Sequence, residues 1–203
     1  MRFFLLDTLG DTNAEDLCFL GDFIKGIEGD SWRVHHGEPL APIYPKDAKL
    51  FMNRRDRGVK LCSLIGNERG MLLVSSEFKD LIQKHCEGSN IEILPFTLHD
   101  HRKRAHSRDY FLVNPLGTFD CLDFKESDIT WDDDEPGEVV SIREHVIDKK
   151  KAKKAPQLFR FHKDTSTYVI GAELAMDMYE HDLTNIVWTR LRFSGESKEV
   201  EDE

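Results

Sequence analysis

The hydrophobic pattern of this 203-residue chain contains one block twice. In the first copy, residues 71–78 form an apolar run that ends in small residues and a Glu, and a helical stretch then leads to a second apolar run at residues 91–94. Residues 167–174 and 185–188 repeat this order around another helical stretch. Each block therefore predicts a short strand, a turn, a helix of about three turns and a second strand.

Both helices are predicted from the spacing of their apolar residues. In the first, side chains three and four residues apart share one face: Phe78, Leu81, Ile82 and His85. Ser75 or Ser76 is expected to cap this helix by accepting a hydrogen bond from a free backbone N–H near its start. The second helix is expected over residues 172–181, where Leu174 and Met178 have the same spacing.

Other apolar runs predict strands outside the blocks. They lie at residues 3–6, at 110–113 with a continuation to 124, at 158–161 and at 183–193. Because helices do not alternate regularly with strands, the pattern predicts an α+β fold with a mixed, mainly antiparallel sheet and a few helices.

The domain organisation is expected to be simple. Residues 1–195 are predicted to form a single domain, in which residues 1–65 are a possible N-terminal subdomain. Residues 196–203 are polar and acidic and are predicted to be a disordered tail.

The net charge of −10 narrows the class of partner. Such a surface repels nucleic acid and acidic membranes and favours a basic partner, although it also serves simple solubility.

No apolar run approaches the roughly 20 residues of a membrane span, and the run after Arg2 is too short for a signal peptide. The four cysteines are scattered without a CxxC pair, which indicates reduced thiols. We therefore expect a cytoplasmic protein.

Two candidate chemistries rest on the sequence near residue 100. His99, Asp100, His101 and His106 could hold a zinc ion for a metal-dependent hydrolase, because alternate residues of a strand share one face. The surrounding Arg and Lys residues disfavour a cation, and an exposed charged loop is the competing interpretation.

Residues 102–108 and 149–154 are basic and could bind nucleic acid, but few aromatic residues accompany them. The lysines could instead pair with the preceding acidic stretch.

That acidic stretch, residues 120–138, contains nine carboxylates and one lysine. Its densest part is a candidate surface for a basic protein partner, with an aromatic anchor beside the charges. A solvated loop with a buried Trp is the alternative interpretation, and the spacing does not fit an EF-hand. The candidate partner-binding residues are Trp131, Asp132, Asp133, Asp134 and Glu135.

No nucleophile elbow, P-loop, dinucleotide-binding turn or zinc-protease motif occurs in the chain. The sequence therefore predicts no catalytic residue, no cofactor and no enzymatic activity.

A series of short segments, taken in order, resembles a bacterial immunity-protein family of polymorphic toxin systems, the family typified by a Myxococcus immunity protein. The resemblance covers about residues 72–190 and is weak before them. It is carried by residues 74–78 (VSSEF), 92–96 (EILPF), 110–114 (YFLVN), 120–123 (DCLD) with Ser127, 158–161 (LFRF), 168–169 (YV), 173–174 (EL) and 183–185 (LTN).

The resemblance implies an immunity protein that binds and neutralises a cognate secreted toxin, as in type VI secretion. It brings no catalytic residues. Ser75, Glu77, Asn114 and Asp123 match recurring positions of the family, where they could either hold turns and helix ends or contact the toxin. A cytoplasmic inhibitor implies a toxin with a cytosolic target, such as nucleic acid or a nucleotide, and the acidic charge favours a toxin with a basic surface.

Overall fold

The computed structural model describes residues 1–53 and 55–197. Its helices are α1 (Trp32–His36), α2 (Ser76–His85) and α3 (Ala172–Glu180). Its strands are β1 (Phe3–Asp7), β2 (Phe19–Leu20), β3 (Lys49–Phe51), β4 (Gly66–Asn67), β5 (Leu72–Ser75), β6 (Ile91–His99), β7 (Ala105–Pro115), β8 (Asp128–Trp131), β9 (Val139–Glu144), β10 (Val146–Ile147), β11 (Leu158–Arg160), β12 (Tyr168–Gly171), β13 (Val187–Arg190) and β14 (Arg192–Phe193). The predicted α+β class is confirmed.

The two sequence blocks build two four-stranded sheets. Sheet I has the strand order β3-β6-β7-β5, and sheet II has the order β11-β12-β1-β13. In each block the strands before and after the helix flank one central antiparallel strand, which is β7 in sheet I and β1 in sheet II. The repeated pattern thus corresponds to a repeated structural unit, and β1 from the start of the chain completes the second unit.

The starts and ends of the first block follow its local chemistry. Ser75 caps α2, because its side-chain oxygen accepts a hydrogen bond from the Phe78 N–H at 3.3 Å. Pro95 lies within β6 opposite Phe111. The neighbouring strand β3 pairs only with the segment from Thr97 to His99, so the missing N–H of Pro95 removes no hydrogen bond on that side.

Two strand predictions were too long. Residues 119–124 form no strand and join the sheets only through isolated bridges at Phe119 and Leu122. The run at 183–193 begins with a loop in which Asn185 has a φ of 60°, and it then divides into β13 and β14, because Leu191 interrupts the pairing. At both places an apolar residue is buried because it packs into the core, and not because it belongs to a strand. Beyond Glu196 and Ser197, the predicted tail lies outside the described residues.

Three apolar clusters form layers with the sheets. The first core covers one face of sheet I and includes Leu73 and Leu112. The second core lies between the sheets: it receives Val74 from sheet I, Ile170 from sheet II and the buried faces of α2 and α3. The third core covers the other face of sheet II and includes Phe159. α3 and the third core therefore lie on opposite faces of sheet II.

One buried arginine joins the two sheets. Arg160 on β11 is fully buried, and its guanidinium donates to the carbonyl oxygens of Pro115 at 3.1 Å and Thr165 at 2.7 Å. It also donates to Asn114 Oδ1 at 3.3 Å and to the Tyr168 hydroxyl at 2.8 Å. Buried polar groups are tolerated when they are hydrogen-bonded in this way. Arg160 thereby fixes the end of β7 against sheet II.

The four cysteines are buried and form no disulfide, in agreement with the predicted reduced thiols of the core. Burial raises the pKa of Cys18 to about 12, that of Cys86 to about 11 and that of Cys121 to about 12. Since the thiolate is the reactive form, these residues act as small apolar side chains.

A charged contact closes the seam between the two helices. Asp177 on α3 accepts from Lys84 Nζ at 2.6 Å, and His85 Nε2 lies 2.8 Å from the same oxygen. The Lys84 side chain first, and then His85, lower the pKa of Asp177 to about 2 from its ordinary value of 3.8. A lowered pKa means that this contact stabilises the fold above about pH 4 and ceases to do so as the pH falls towards 2.

We therefore expect Asp177→Asn to be less stable than the parent protein at pH 7, with a stability difference that narrows as the pH falls from 4 towards 2. Urea unfolding midpoints across this pH range measure the effect. Asp80→Asn, which changes an exposed carboxylate on α2, is the matched control and should be nearly neutral. A difference that stays constant down to pH 2 would contradict the role assigned to the ionised carboxylate.

Candidate partner-binding surface

The predicted acidic patch lies on a β-hairpin, which we call the acidic hairpin (residues 128–144). β8 and β9 pair only with each other and form a separate two-stranded sheet. The loop at residues 132–138 joins them. Most hairpin residues are exposed, whereas Ile129 and Ile142 pack against the third core. The structure therefore presents the patch at the loop end of an exposed hairpin, where Lys163 Nζ donates to Glu138 at 2.9 Å.

Ionic contacts attach the base of the acidic hairpin to the rest of the protein. Arg192 on β14 donates to Glu126 at 2.8 Å and to Glu144 at 3.1 Å. Next to the end of β9, His145 Nε2 lies 2.6 Å from Asp164 Oδ2, and the imidazole stacks on the Phe161 ring. Burial acts to raise the pKa of Asp164, but the hydrogen bonds from His145 and Thr167 outweigh it and the pKa is lowered. These contacts hold the hairpin against the body of the protein.

The carboxylates of the hairpin loop have two roles. Asp132 holds the turn, because its Oδ1 accepts from the N–H groups of Glu135 at 3.0 Å and Asp134 at 2.8 Å. These same hydrogen bonds lower the pKa of Asp132. Asp133, Asp134 and Glu135 are exposed, and in the part of the chain that the structure describes no side chain pairs with their carboxylates. They form a concentrated negative charge that faces solvent.

Trp131 lies at the end of β8, immediately before these charges. Its indole packs against the Phe124 ring with a centroid separation of 5.8 Å, and 41% of the residue surface remains exposed. The alternative of a buried Trp is therefore wrong. An aromatic side chain held on one side and open on the other can anchor a partner at a small entropic cost.

The histidine cluster does not assemble a metal site. β6 ends at His99, so His99 and His101 are not alternate residues of one strand. The His99 ring packs on Phe51, and His101 Nε2 lies 2.8 Å from the Asp56 carbonyl oxygen. Asp100 instead holds the hairpin turn: hydrogen bonds from the Arg104 and Arg102 N–H groups, together with the Arg104 side chain, lower its pKa to about 2. Among the described residues, no group of three or more His, Cys, Asp or Glu side chains is placed to bind a metal ion.

The two basic stretches are partly neutralised within the protein. The Arg104 guanidinium binds Asp100 through Nε and Nη2 at 2.9 and 2.8 Å. Lys151 Nζ lies 3.0 Å from both carboxylate oxygens of Asp120, which confirms the predicted pairing of the lysine run with the acidic stretch. Neither stretch forms the row of open cations with interleaved aromatic rings that single-stranded nucleic acid requires.

The sequence of this chain matches a known protein family over most of its length. The sequence model described as Immunity protein family (Imm11) matches residues 13–192, which is most of the chain. The chain belongs to the Imm11 immunity protein family. The match begins well before residue 72, so the N-terminal part, where the resemblance is weak, is also part of the family pattern. No curated protein matches the chain. Across the described residues, no helix is both long and apolar enough to cross a membrane.

Of the four polar residues singled out by the sequence resemblance, three have structural roles. Ser75 caps α2, and Asn114 donates to the Glu38 carbonyl oxygen at 2.9 Å. Asp123 accepts from the Lys125 N–H at 2.9 Å and from the Ser194 hydroxyl at 2.6 Å, which ties the start of the acidic stretch to the segment after β14. Glu77 alone is exposed, 3.4 Å from His181. Ser75, Asn114 and Asp123 therefore hold this fold together, whereas Glu77 is open to solvent.

The prediction from sequence missed one exposed apolar surface. Met176 and Tyr179 lie on the outer side of α3, and Glu173 and Glu180 lie beside them. The prediction used only the buried face of this helix. The sequence did contain a signal for this surface. Met176 and Tyr179 are three residues apart, lie off the buried apolar face of α3, and have carboxylates near them in the sequence.

Proposed function

We propose that this protein binds a cognate secreted toxin in the cytosol and neutralises it by occluding a functional surface of the toxin. Membership of the Imm11 immunity family is the observation that carries this proposal. Inhibition by contact needs binding surfaces rather than a catalytic centre. The exposed acidic hairpin and the exposed Trp131 support such a mode of action.

The acidic hairpin supports a toxin with a basic surface. No described side chain pairs with Asp133, Asp134 or Glu135, and they are adjacent in the sequence, so their fields add and attract a positively charged partner over distance. Basic surfaces are typical of enzymes that act on nucleic acids and nucleotides, whose phosphates they bind. We therefore propose a toxin of that class, with Trp131 as the aromatic contact beside the charged tip.

The complex has to be extensive and tight, because unbound toxin would kill the cell. A specific protein–protein interface buries about 1,200–2,000 Å² in total. A hairpin tip of a few residues supplies only part of such an area. The proposal therefore requires further contacts between the toxin and the body of the protein.

Co-expression tests the function directly. Cells that express the toxin domain encoded beside this protein should die without it and survive with it, and calorimetry of the purified partners should show a one-to-one complex of nanomolar affinity. A toxin domain from another neighbourhood is the specificity control and should not bind. Equal killing with and without the protein would refute the proposal.

A further inference from the structure

The outer face of α3 is an apolar surface with an acidic rim. Met176 and Tyr179 are 61% and 78% exposed, and Tyr179 is the most exposed large apolar side chain in the part of the protein that the structure describes. They lie one helical turn apart, and Glu173 and Glu180 lie together on one flank of this pair, three and four residues from Met176. The opposite side of α3, with Leu174, Ala175 and Met178, packs into the second core. The outer residues therefore contribute nothing to that core.

The carboxylates at the C-terminal end of α3 do not serve the stability of the helix, whereas Glu173 in the first turn does. Lys84 compensates Asp177 on the flank of α3, but Glu180 occupies the last turn and Asp182 follows it. The C-terminal end of a helix carries a partial negative charge, so carboxylates there are unfavourable and cations are favourable. Asp182 also adopts a φ of 50°, an uncommon value for a residue with a side chain. Glu180 therefore does not stabilise the helix end, and its place beside an exposed Tyr and Met favours a role in binding.

The chemistry of this face defines its occupant. Tyr and Met are enriched in protein–protein interfaces, where a flat aromatic ring and a flexible thioether fill a partner's pockets. The acidic rim fits an apolar spot surrounded by Lys and Arg. A second copy of this chain would bring Glu173 and Glu180 against like charges, which is unfavourable. The matching occupant is a basic partner, the same class of partner that fits the acidic hairpin.

The position of α3 allows one partner to reach both surfaces. α3 lies on the second-core face of sheet II, and the acidic hairpin is attached on the third-core face. β13 is the terminal strand of sheet II and lies between these faces. It follows α3 in the chain and is followed by β14, whose Arg192 binds Glu144 of the hairpin. We propose that the outer face of α3 is a second docking surface for the toxin.

This inference rests on the proposed function, and binding kinetics separate the two. Met176→Ala with Tyr179→Ala should increase the rate of toxin dissociation at least about tenfold, because it removes buried apolar contacts. The association rate should change by no more than about twofold, since charge governs association. Surface plasmon resonance with the neighbouring toxin domain measures both rates. Hydrogen exchange of the parent complex should show protection of residues 172–180.

Trp32→Ala is the matched control, because Trp32 is an exposed aromatic residue (48%) on the distant helix α1. It should leave both rates unchanged, and urea unfolding should show that all variants are folded. An unchanged dissociation rate in the α3 variant, with tight binding of the parent protein, would overturn the second docking surface and leave the proposed function standing. Absence of any complex with the parent protein would overturn both.

Discussion

Replacement of Arg160 by Met is expected to destabilise the protein by roughly 3–5 kcal/mol, since each buried acceptor left without a donor costs about 1–3 kcal/mol. Met preserves much of the side-chain length but donates no hydrogen bond. The carbonyl oxygens of Pro115 and Thr165 would lose their partner, and so would Asn114 Oδ1. The Tyr168 ring, 4.2 Å from the guanidinium carbon, would also lose its cation contact.

The effect is expected to be large because the network joins separate parts of the fold. Tyr168 donates onward to the Gly70 carbonyl oxygen at 3.2 Å, and Asn114 donates to Glu92 at 3.1 Å. Glu92 in turn accepts from the Leu40 and Ala41 N–H groups. Domains of this size are stable by about 5–15 kcal/mol, so the loss represents a large share of the total.

Urea unfolding at pH 7 measures this loss. Arg102→Met is the control, because Arg102 is an exposed arginine in the β6–β7 turn, and its replacement should change the free energy of unfolding by no more than about 0.5 kcal/mol. A change below about 1 kcal/mol for Arg160→Met would show that water or a rearranged side chain satisfies the stranded acceptors.

Local patterns in the sequence predicted the two strand–helix–strand blocks, and they did so for a physical reason. Helical spacing and the cap at Ser75 act within a few residues, so they can be read without knowledge of the fold. The central strands β1 and β7 were themselves predicted as strands, but their pairing partners and their central positions could not be inferred in this way. β1 pairs with β12 and β13, more than 150 residues away, and its own apolar run specifies no partner.

The burial of Arg160 is a second feature that local sequence patterns could not predict. In the sequence it stands between Phe159 and Phe161 and looks like the polar position of an alternating strand, which would face solvent. Its burial depends on acceptors that come from β7, β12 and the loop at Thr165. Long-range partners of this kind have no local signature, and therefore only the assembled fold identifies them.

The acidic patch was found in the sequence because charge density is a local property, but its geometry was not. The pattern did not distinguish Asp132, which holds the turn, from Asp133 and Asp134, which face solvent. The structure changes the experiment accordingly: Asp132 has to be kept, because its replacement would alter the loop as well as the charge.

Reversal of Asp133, Asp134 and Glu135 to Lys is expected to slow association with the toxin by roughly tenfold or more at low ionic strength, because electrostatic steering raises association rates by about 10–1,000-fold. The dependence of the association rate on salt should also become shallower. The folding stability should change little, since these carboxylates are exposed and have no partner among the described side chains. Stopped-flow mixing with the toxin domain at several salt concentrations measures the effect.

A matched variant separates a local effect from a global one. Glu15, Asp22 and Glu38 are exposed carboxylates far from the hairpin in sequence, and their reversal to Lys changes the net charge by the same amount. If the hairpin steers the encounter, the control should associate nearly as fast as the parent protein. Equal slowing in both variants would mean that only the total charge of −10 attracts the toxin. Slowing confined to the hairpin variant would place the first contact at the charged tip, next to Trp131, where the apolar contacts that hold the complex could then form.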